Sequence, residues 1–189
     1  MCTCSNPKIL VLTSRKRFEG EEDFLKQIEK IAAAKPFGIV LREKDLPVKE
    51  YSVLARKVRD ICRSAGASLI VHSHPEVARE LGVSALHMPL DALEKLSSEE
   101  RKEFRVLGAS CHSVEDVLRA KALGCDYVTA GHVYATDCKP GLPPRGADIQ
   151  AEVSGTAPPQ PGLAQGGRPP PPPPPRAPPP PPPRRRERG

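Results

Sequence analysis

The chain has 189 residues and a formal net charge of +6, and that charge is unevenly distributed. Residues 1–150 hold 23 Lys and Arg against 21 Asp and Glu, whereas residues 151–189 hold 6 Arg and 2 Glu. The first part is nearly neutral, which argues against a nucleic-acid-binding surface there. Apolar runs are too short to cross a bilayer and no signal-peptide core is present, so we expect a soluble cytoplasmic protein.

Apolar segments of strand length alternate along the chain with amphipathic segments of helix length. In chain order the sequence predicts strand Lys8–Thr13, helix Glu21–Ala34, strand Phe37–Leu41, helix Lys49–Ala65, strand Ser68–Val71, helix Pro75–Leu81, strand Ala85–His87, helix Leu90–Glu103 with an interruption at Ser97-Ser98, strand Arg105–Ala109, helix Ser113–Leu123 and strand Asp126–Ala130. Gly66 and Gly124 follow two of the helices, as residues that end helices commonly do. Ser113 and Asp116 have the spacing of a capping box.

Strands that are apolar throughout, each followed by a helix, are typical of a parallel sheet covered on both faces. The spacing of these six β/α units favours an α/β fold of the TIM type, a (β/α) barrel, over a doubly wound open sheet. Such a barrel needs eight strands, so we expect one that is truncated after the sixth strand. The first and sixth strands would then have unpaired edges, which favours association with a partner, such as a homo-oligomer.

The sequence becomes rich in proline from about Asp148, and 16 of the 24 prolines follow residue 150. The runs Pro169–Pro175 and Pro178–Pro183 cannot donate backbone hydrogen bonds and favour an extended polyproline II conformation. We therefore predict a folded domain over residues 1–147 and a disordered Pro/Arg-rich tail over residues 148–189.

The proline runs of the tail are flanked by arginines at Arg176 and Arg184–Arg186. Ligands of SH3, WW and profilin-like domains often combine these features, so the tail could bind such a domain. The alternative interpretation is a linker without a partner. A nucleic-acid role for the few terminal arginines has little support.

Polar side chains follow the carboxyl ends of the predicted strands, which is the end where barrels of this type carry their active sites. Every histidine of the chain is among them: His72, His74, His87, His112 and His132. The others are Arg42, Glu43, Lys44, Asp45, Ser73, Ser110, Thr136, Asp137 and Lys139. Because scattered structural histidines would not all gather at one end, this clustering favours a functional site.

Three of these residues have the properties of catalytic or binding groups. His132 follows Gly131, which lets the backbone approach a ligand, and an imidazole can both give and take a proton near neutral pH. The alternative is a core histidine bonded to the backbone. Arg42 and Lys44 lie two residues apart on a segment predicted to be extended, so they would share a face and could hold a phosphate. The alternative is a solvated turn.

Metal binding and cysteine chemistry have weaker support. His72, His74 and His87 could suggest zinc, but no clear further ligand or supporting shell accompanies them, so we expect no metal. Cys138 is a poor candidate nucleophile because its two charged neighbours shift its pKa in opposite directions. The cysteines form no C-x-x-C pair, which indicates reduced thiols.

Three segments resemble the thiamine phosphate synthase/TenI superfamily, and the resemblance extends over roughly Lys8–Gly146. The segments are LREKD at Leu41–Asp45, SCHSVEDVLRAKALGCDYV at Ser110–Val128 and GHVYATDCKPGLPPRG at Gly131–Gly146. The resemblance implies a TIM barrel and an enzyme of thiamine biosynthesis that acts on a thiazole phosphate.

The chain departs from the synthase branch of this superfamily at several positions. Synthases commonly carry Gln-x-Arg-x-Lys after strand two, and Val40 stands here at the Gln position. They carry Asn-Asp after strand three, where this chain has His72-Ser73. Their magnesium-binding Asp after strand four falls at or near Ala92, with Asp91 beside it, so hard oxygen ligands that Mg²⁺ requires are lost.

The chain is more similar to TenI, the thiazole tautomerase, because Gly131-His132 is the TenI form where synthases usually have Gly-Pro. This resemblance implies a tautomerase that makes the ring of a thiazole carboxylate phosphate aromatic, with His132 as the general acid/base. We assign substrate binding to Arg42, Lys44, His72, His87, Ser110, His112, Thr136 and Lys139. No cofactor is expected, and Mg²⁺ would be needed only by a synthase.

Members of the superfamily hold the substrate phosphate with loops after strands seven and eight, and we expect this chain to lack both. Two alternatives to the tautomerase remain. One is a thiamine phosphate synthase, which couples a thiazole phosphate to a pyrimidine diphosphate. The other is an inactive truncated barrel whose polyproline tail binds other proteins.

Overall fold

A computed structural model describes residues 9–131 and the backbone of a two-residue strand further along the chain. The strands are β1 Leu10–Leu12, β2 Gly38–Leu41, β3 Leu69–His72, β4 Ala85–Pro89, β5 Val106–Cys111, β6 Tyr127–Ala130 and β7 Leu163–Ala164. The helices are α1 Glu21–Ala33, α2 Val48–Ala65, α3 Pro75–Glu80, α4 Leu90–Leu93, α5 Ser98–Lys102 and α6 Val114–Ala122, with a 3-10 helix at Arg15–Arg17.

All of these strands pair in parallel, and the order across the sheet is the order along the chain. This order is that of a barrel wall, because a doubly wound sheet reverses its strand order at a switch point. Strands β1 to β6 form a curled half-barrel similar to the TIM type, which confirms the predicted α/β class and its six strands. The short β7 pairs with β6, so β6 is not the edge that we expected.

The sheet separates two apolar layers because successive residues of a strand point to opposite faces. Ile39 and Leu41 of β2 point outward and join the core beneath the helices, whereas Val40 between them points inward. The inward cluster fills the lumen, the space enclosed by the curled sheet: Val40, Ile70, Ala85 and Tyr127, with Leu10, Leu12, Phe37 and Val106 packed against them. The lumen is therefore apolar at the amino ends of its strands.

The interruption predicted within the helical segment Leu90–Glu103 is confirmed, because the chain forms the two helices α4 and α5 there. A capping box starts the second helix: Ser97 Oγ accepts from the Glu100 backbone N–H, and the Glu100 carboxylate accepts from Ser97 N at 2.9 Å. The serines that we read as an interruption are thus a helix start.

Only half of the predicted capping box at Ser113 forms. Ser113 Oγ accepts from Asp116 N at 3.1 Å, but the Asp116 carboxylate accepts from His112 N rather than from the N–H of Ser113. Gly66 and Gly124 adopt positive φ angles of 69° and 84°, which confirms their place at helix ends. The predicted boundary at residue 147 lies outside the described residues, and so does the predicted proline-rich tail apart from the backbone of Leu163–Ala164 in β7. The described helices include none long and apolar enough to cross a membrane.

Gly108 makes room for the ring of Tyr127 within the lumen. A Cβ added at this glycine would lie 2.2 Å from Tyr127 Cζ, far inside van der Waals contact. We expect Gly108→Ala to lower the free energy of unfolding by about 1–3 kcal/mol through overpacking, measured by urea denaturation. In a Tyr127→Leu background the same change should cost less. Equal costs in both backgrounds would contradict this packing.

Candidate active site

Polar side chains from β3, β4, β5 and β6 meet at the carboxyl end of the lumen. The strand registers pair His72 with His87 and Ser110 with Thr129. Three rings stack in series, with 5.6 Å between the centroids of His72 and His87 and 5.5 Å between those of His87 and Tyr127. A polar layer therefore lies on top of the apolar filling of the lumen.

His87 lies at the centre of this layer and is only 1% exposed. Its Nδ1 lies 3.1 Å from Tyr127 Oη and its Nε2 lies 2.9 Å from Ser110 Oγ, so both ring nitrogens are hydrogen-bonded. Burial, together with the nearby charge of Arg42, lowers the pKa of His87 to about 4. The imidazole is therefore neutral at pH 7 and carries a single proton.

His72 is held in place through both its backbone and its ring. Its backbone N–H donates to Tyr51 Oη at 3.0 Å, and that hydroxyl donates to the Leu41 carbonyl at 2.7 Å. Its Nδ1 lies 2.8 Å from Ser73 Oγ. Since the Nδ1 is engaged by Ser73, Nε2 is the ring nitrogen left for a ligand.

Ser73 adopts a left-handed conformation with φ of 64°. A residue other than glycine in this region carries about 1–3 kcal/mol of strain, which only the surrounding structure can maintain. Here the Ser73 backbone N–H donates to the His87 carbonyl at 2.9 Å, while its hydroxyl contacts His72. The strained residue thus connects the two buried histidines, at a position where strain commonly marks function.

Arg42 and Lys44 bring positive charge to the rim of the polar layer. Arg42 is half-buried just beyond β2, whereas Lys44 is exposed in a turn, so the prediction that both lie on one extended segment is wrong. Burial first, and then the charges of nearby groups that include Lys44 and Arg42, lower the pKa of His72 to about 3. The two cations favour an anionic ligand beside a neutral imidazole.

Glu43 is the only buried carboxylate among the described residues, at 3% exposure. It accepts a 2.6 Å hydrogen bond from Thr13 Oγ1 and two 3.1 Å bonds from the backbone N–H of Arg15. Thr13 in turn accepts from Arg42 N at 3.0 Å. These bonds tie the loop after β1 to the end of β2, so Glu43 fixes the position of Arg42 and has a structural role.

The structure brings together five of the residues that we assigned to substrate binding: Arg42, Lys44, His72, His87 and Ser110. Ser110 lies within its strand rather than beyond it, and His87 lies in the middle of its strand rather than at the end, because β4 and β5 run further than the sequence predicts.

Two other histidines lie away from this group. His112 is exposed after β5, where its Nδ1 donates to the Gly131 carbonyl at 3.0 Å. His74 precedes α3 and packs on the ring of Tyr51 at 4.4 Å between centroids. The predicted residues His132, Thr136 and Lys139, and also Cys138, lie outside the described residues.

Sequence reasoning missed Tyr51, Tyr127 and Thr129, whose hydroxyl groups hydrogen-bond inside the fold. For two of them a signal was present. Tyr127 and Thr129 are two residues apart on a strand, so their side chains share a face of the sheet. Each hydroxyl group therefore needs a hydrogen-bond partner on that face. Tyr51 sits on a helix and gave no such signal.

The donor atoms of the polar layer do not fit Mg²⁺. This ion prefers carboxylate and carbonyl oxygens in octahedral geometry, whereas His72, His87 and Ser110 offer nitrogens and a hydroxyl beside two cations. The side chain of Asp91 is 91% exposed on the outer helix α4 and lies 3.9 Å from Arg119. Within residues 9–131 no group of three or more His, Cys, Asp or Glu side chains could hold a metal ion.

Comparison with known proteins gives consistent matches to one family. A family model described as thiamine monophosphate synthase matches residues 9–170. A putative thiamine-phosphate synthase 2 of Aquifex aeolicus is 28% identical over 148 residues, which cover 78% of each chain. A thiamine-phosphate synthase of Roseiflexus is 30% identical over 154 residues, covering 78% of this chain and 63% of the relative. One from Bacillus velezensis is 36% identical over 91 residues and covers 48% and 41%.

A solved structure supports the fold. A thiamine phosphate pyrophosphorylase from Pyrococcus furiosus superposes with a TM-score of 0.67 at 24% identity, covering 85% of this chain and 75% of that one. The chain thus spans three quarters of this structure and of the Aquifex protein, but less than two thirds of the Roseiflexus and Bacillus relatives.

The two buried histidines make stability depend on pH. Their folded pKa values of about 3 and about 4 lie below the unfolded value of 6.5, so the unfolded chain binds protons first. Stability is therefore full above pH 6.5 and falls as the pH drops toward 4. We expect a loss of about 1.4 kcal/mol per histidine between pH 7.5 and 5.5, measured by urea denaturation.

His72→Asn should remove about half of this pH dependence. A free energy of unfolding that stays constant between pH 7.5 and 5.5 would contradict the burial of two neutral imidazoles.

Proposed function

The chain belongs to the thiamine monophosphate synthase/TenI family, and on that premise we propose that it acts on a thiazole phosphate as a TenI-type tautomerase. One observation carries the choice within the family. The polar layer combines the neutral imidazole of His72 and the hydroxyl of Ser110 with the cations Arg42 and Lys44, and among the described residues it contains no available carboxylate.

A synthase needs magnesium to bring a pyrimidine diphosphate to the thiazole, and its ligand positions have changed in this chain. By resemblance those positions are Ser73 and Ala92, with Asp91 adjacent. The Ser73 hydroxyl is bonded to His72, and the Asp91 side chain points to the outside. A proton shift within one ring requires neither a metal nor a redox cofactor, so this donor set suits it.

The proposed reaction moves one proton. A base removes it from one position of the thiazole carboxylate phosphate and returns it to another, so that the ring becomes aromatic and the base ends unchanged. His132 is our candidate for that base, because of its Gly-His context. Arg42 and Lys44 would offset the negative charges of the substrate, while His72 and Ser110 would hydrogen-bond to its oxygen atoms. Correct positioning supplies much of such a rate enhancement.

A thiamine phosphate synthase is the second candidate, and the names of the curated relatives favour it. A coupling assay with thiazole phosphate and pyrimidine diphosphate, run with and without Mg²⁺, separates the two. Magnesium-dependent coupling above background would replace the tautomerase proposal. Absence of both activities would support the third candidate, an inactive barrel with a polyproline tail that binds SH3-, WW- or profilin-like domains.

His132 should matter for the rate rather than for affinity. We expect His132→Asn to lower the kcat of tautomerisation by about 10²- to 10⁴-fold, because that is the usual contribution of a general acid/base. The Kd for thiazole phosphate should change little. His74→Asn is the matched control, since it replaces a histidine outside the polar layer and should keep the parent rate. Equal activity of the His132 variant and the parent would show that another group moves the proton.

A further inference from the structure

The hydrogen bonds of the polar layer have a direction. We propose that Tyr127 and His87 are positioning residues that make Ser110 a hydrogen-bond donor toward a bound anion. This inference depends on the proposed function only for the identity of the anion, because the direction follows from the described side chains.

Tyr127 determines which ring nitrogen of His87 acts as the hydrogen-bond acceptor. Its side chain is 5% exposed, and its hydroxyl has one hydrogen-bonding neighbour in the described part of the chain, His87 Nδ1 at 3.1 Å. Burial raises the pKa of Tyr127, so the hydroxyl keeps its proton. A buried O–H must donate, since an unsatisfied donor is costly. The Tyr127 proton therefore points at His87, and Nδ1 is the acceptor.

The ring of His87 then determines the hydrogen-bonding role of Ser110. A neutral imidazole carries one proton, and if Nδ1 accepts from Tyr127, that proton is on Nε2. Nε2 lies 2.9 Å from Ser110 Oγ, so it donates to that oxygen. The lowered pKa of His87 agrees with this single proton. With both nitrogens engaged and the ring almost fully buried, His87 acts through Ser110 rather than on the ligand itself.

Ser110 receives a second hydrogen bond from β6. Thr129 is 3% exposed, and its hydroxyl donates to Ser110 Oγ at 3.4 Å, its only described partner. A serine oxygen has two lone pairs, and these two bonds occupy both. The proton of the half-buried Ser110 has no acceptor among the described side chains, so it is left for a ligand.

The donor and acceptor roles of His87 and Ser110 are the reverse of those in a hydrolase triad. In a triad the histidine nitrogen accepts the serine proton and turns the oxygen into a nucleophile. Here the histidine donates, so Ser110 cannot attack and selects a ligand group with lone pairs. Arg42 is close enough to influence the pKa of His87, so the matching group is an anionic oxygen of a phosphate or carboxylate.

The proton on His87 tests the direction without any ligand. The ¹⁵N spectrum of the full chain, labelled at histidine, should show His87 protonated at Nε2 and bare at Nδ1. Tyr127→Phe removes the donor and should produce a mixture of both tautomers. Tyr51→Phe is the matched control, since it removes another buried hydroxyl but should leave the His87 signals unchanged. A proton on Nδ1 in the parent would overturn the inference.

Binding tests the consequence for the ligand. We expect Tyr127→Phe and Ser110→Ala each to raise the Kd for thiazole phosphate about tenfold, the usual loss of one hydrogen bond to a charged group. The double variant should bind no worse than Ser110→Ala, because the tyrosine acts through the serine. A parent-like Kd for Tyr127→Phe, or a parent that binds neither thiazole phosphate nor inorganic phosphate, would overturn this part. If the parent protein has no tautomerase activity but His87 carries its proton on Nε2, that result would contradict the proposed function and leave this inference standing.

Discussion

Buried polar groups at the carboxyl end of a curled parallel sheet are excluded from bulk water, so each needs a hydrogen-bond partner within the protein. An unpaired polar group there would cost about 1–3 kcal/mol. His87 meets this demand with Tyr127 and Ser110, and Glu43 meets it with Thr13 and Arg15. These hydrogen bonds set the geometry at the carboxyl end of the sheet, since each partner comes from a different strand or loop.

The same demand explains the charge state of the site. Burial disfavours the charged form of an imidazole, and nearby cations disfavour it further. His72 and His87 are therefore neutral, while the positive charge stays at the rim on Arg42 and Lys44. A ligand with negatively charged oxygens would be attracted by the cations and would accept hydrogen bonds from the neutral donors. Among the described residues, the polar layer has no available carboxylate to repel it. The strained conformation of Ser73 is maintained by the same network.

The strands were predictable because a sheet covered on both faces needs apolar residues at successive positions, and each run of such residues is visible. The carboxyl ends of β4 and β5 were not, because a polar residue such as Ser110 remains in its strand through partners on other strands. The interruption within Leu90–Glu103 was visible in the sequence, but the role of Ser97 as the cap of a second helix was not recognised. Histidine clustering predicted a site at this end, and the structure places two of those histidines, His72 and His87, in the polar layer. The roles of Tyr51 and Tyr127 depend on long-range contacts that no local pattern encodes.

The central claim is that the polar layer binds an anionic thiazole ligand without a metal. Titration calorimetry of the purified chain with thiazole phosphate, once with Mg²⁺ and once with EDTA, tests it most directly. The account predicts saturable binding at one site with the same Kd under both conditions. Binding that occurs only with Mg²⁺ would contradict it, since carboxylates outside the polar layer would then have to hold the metal and its ligand.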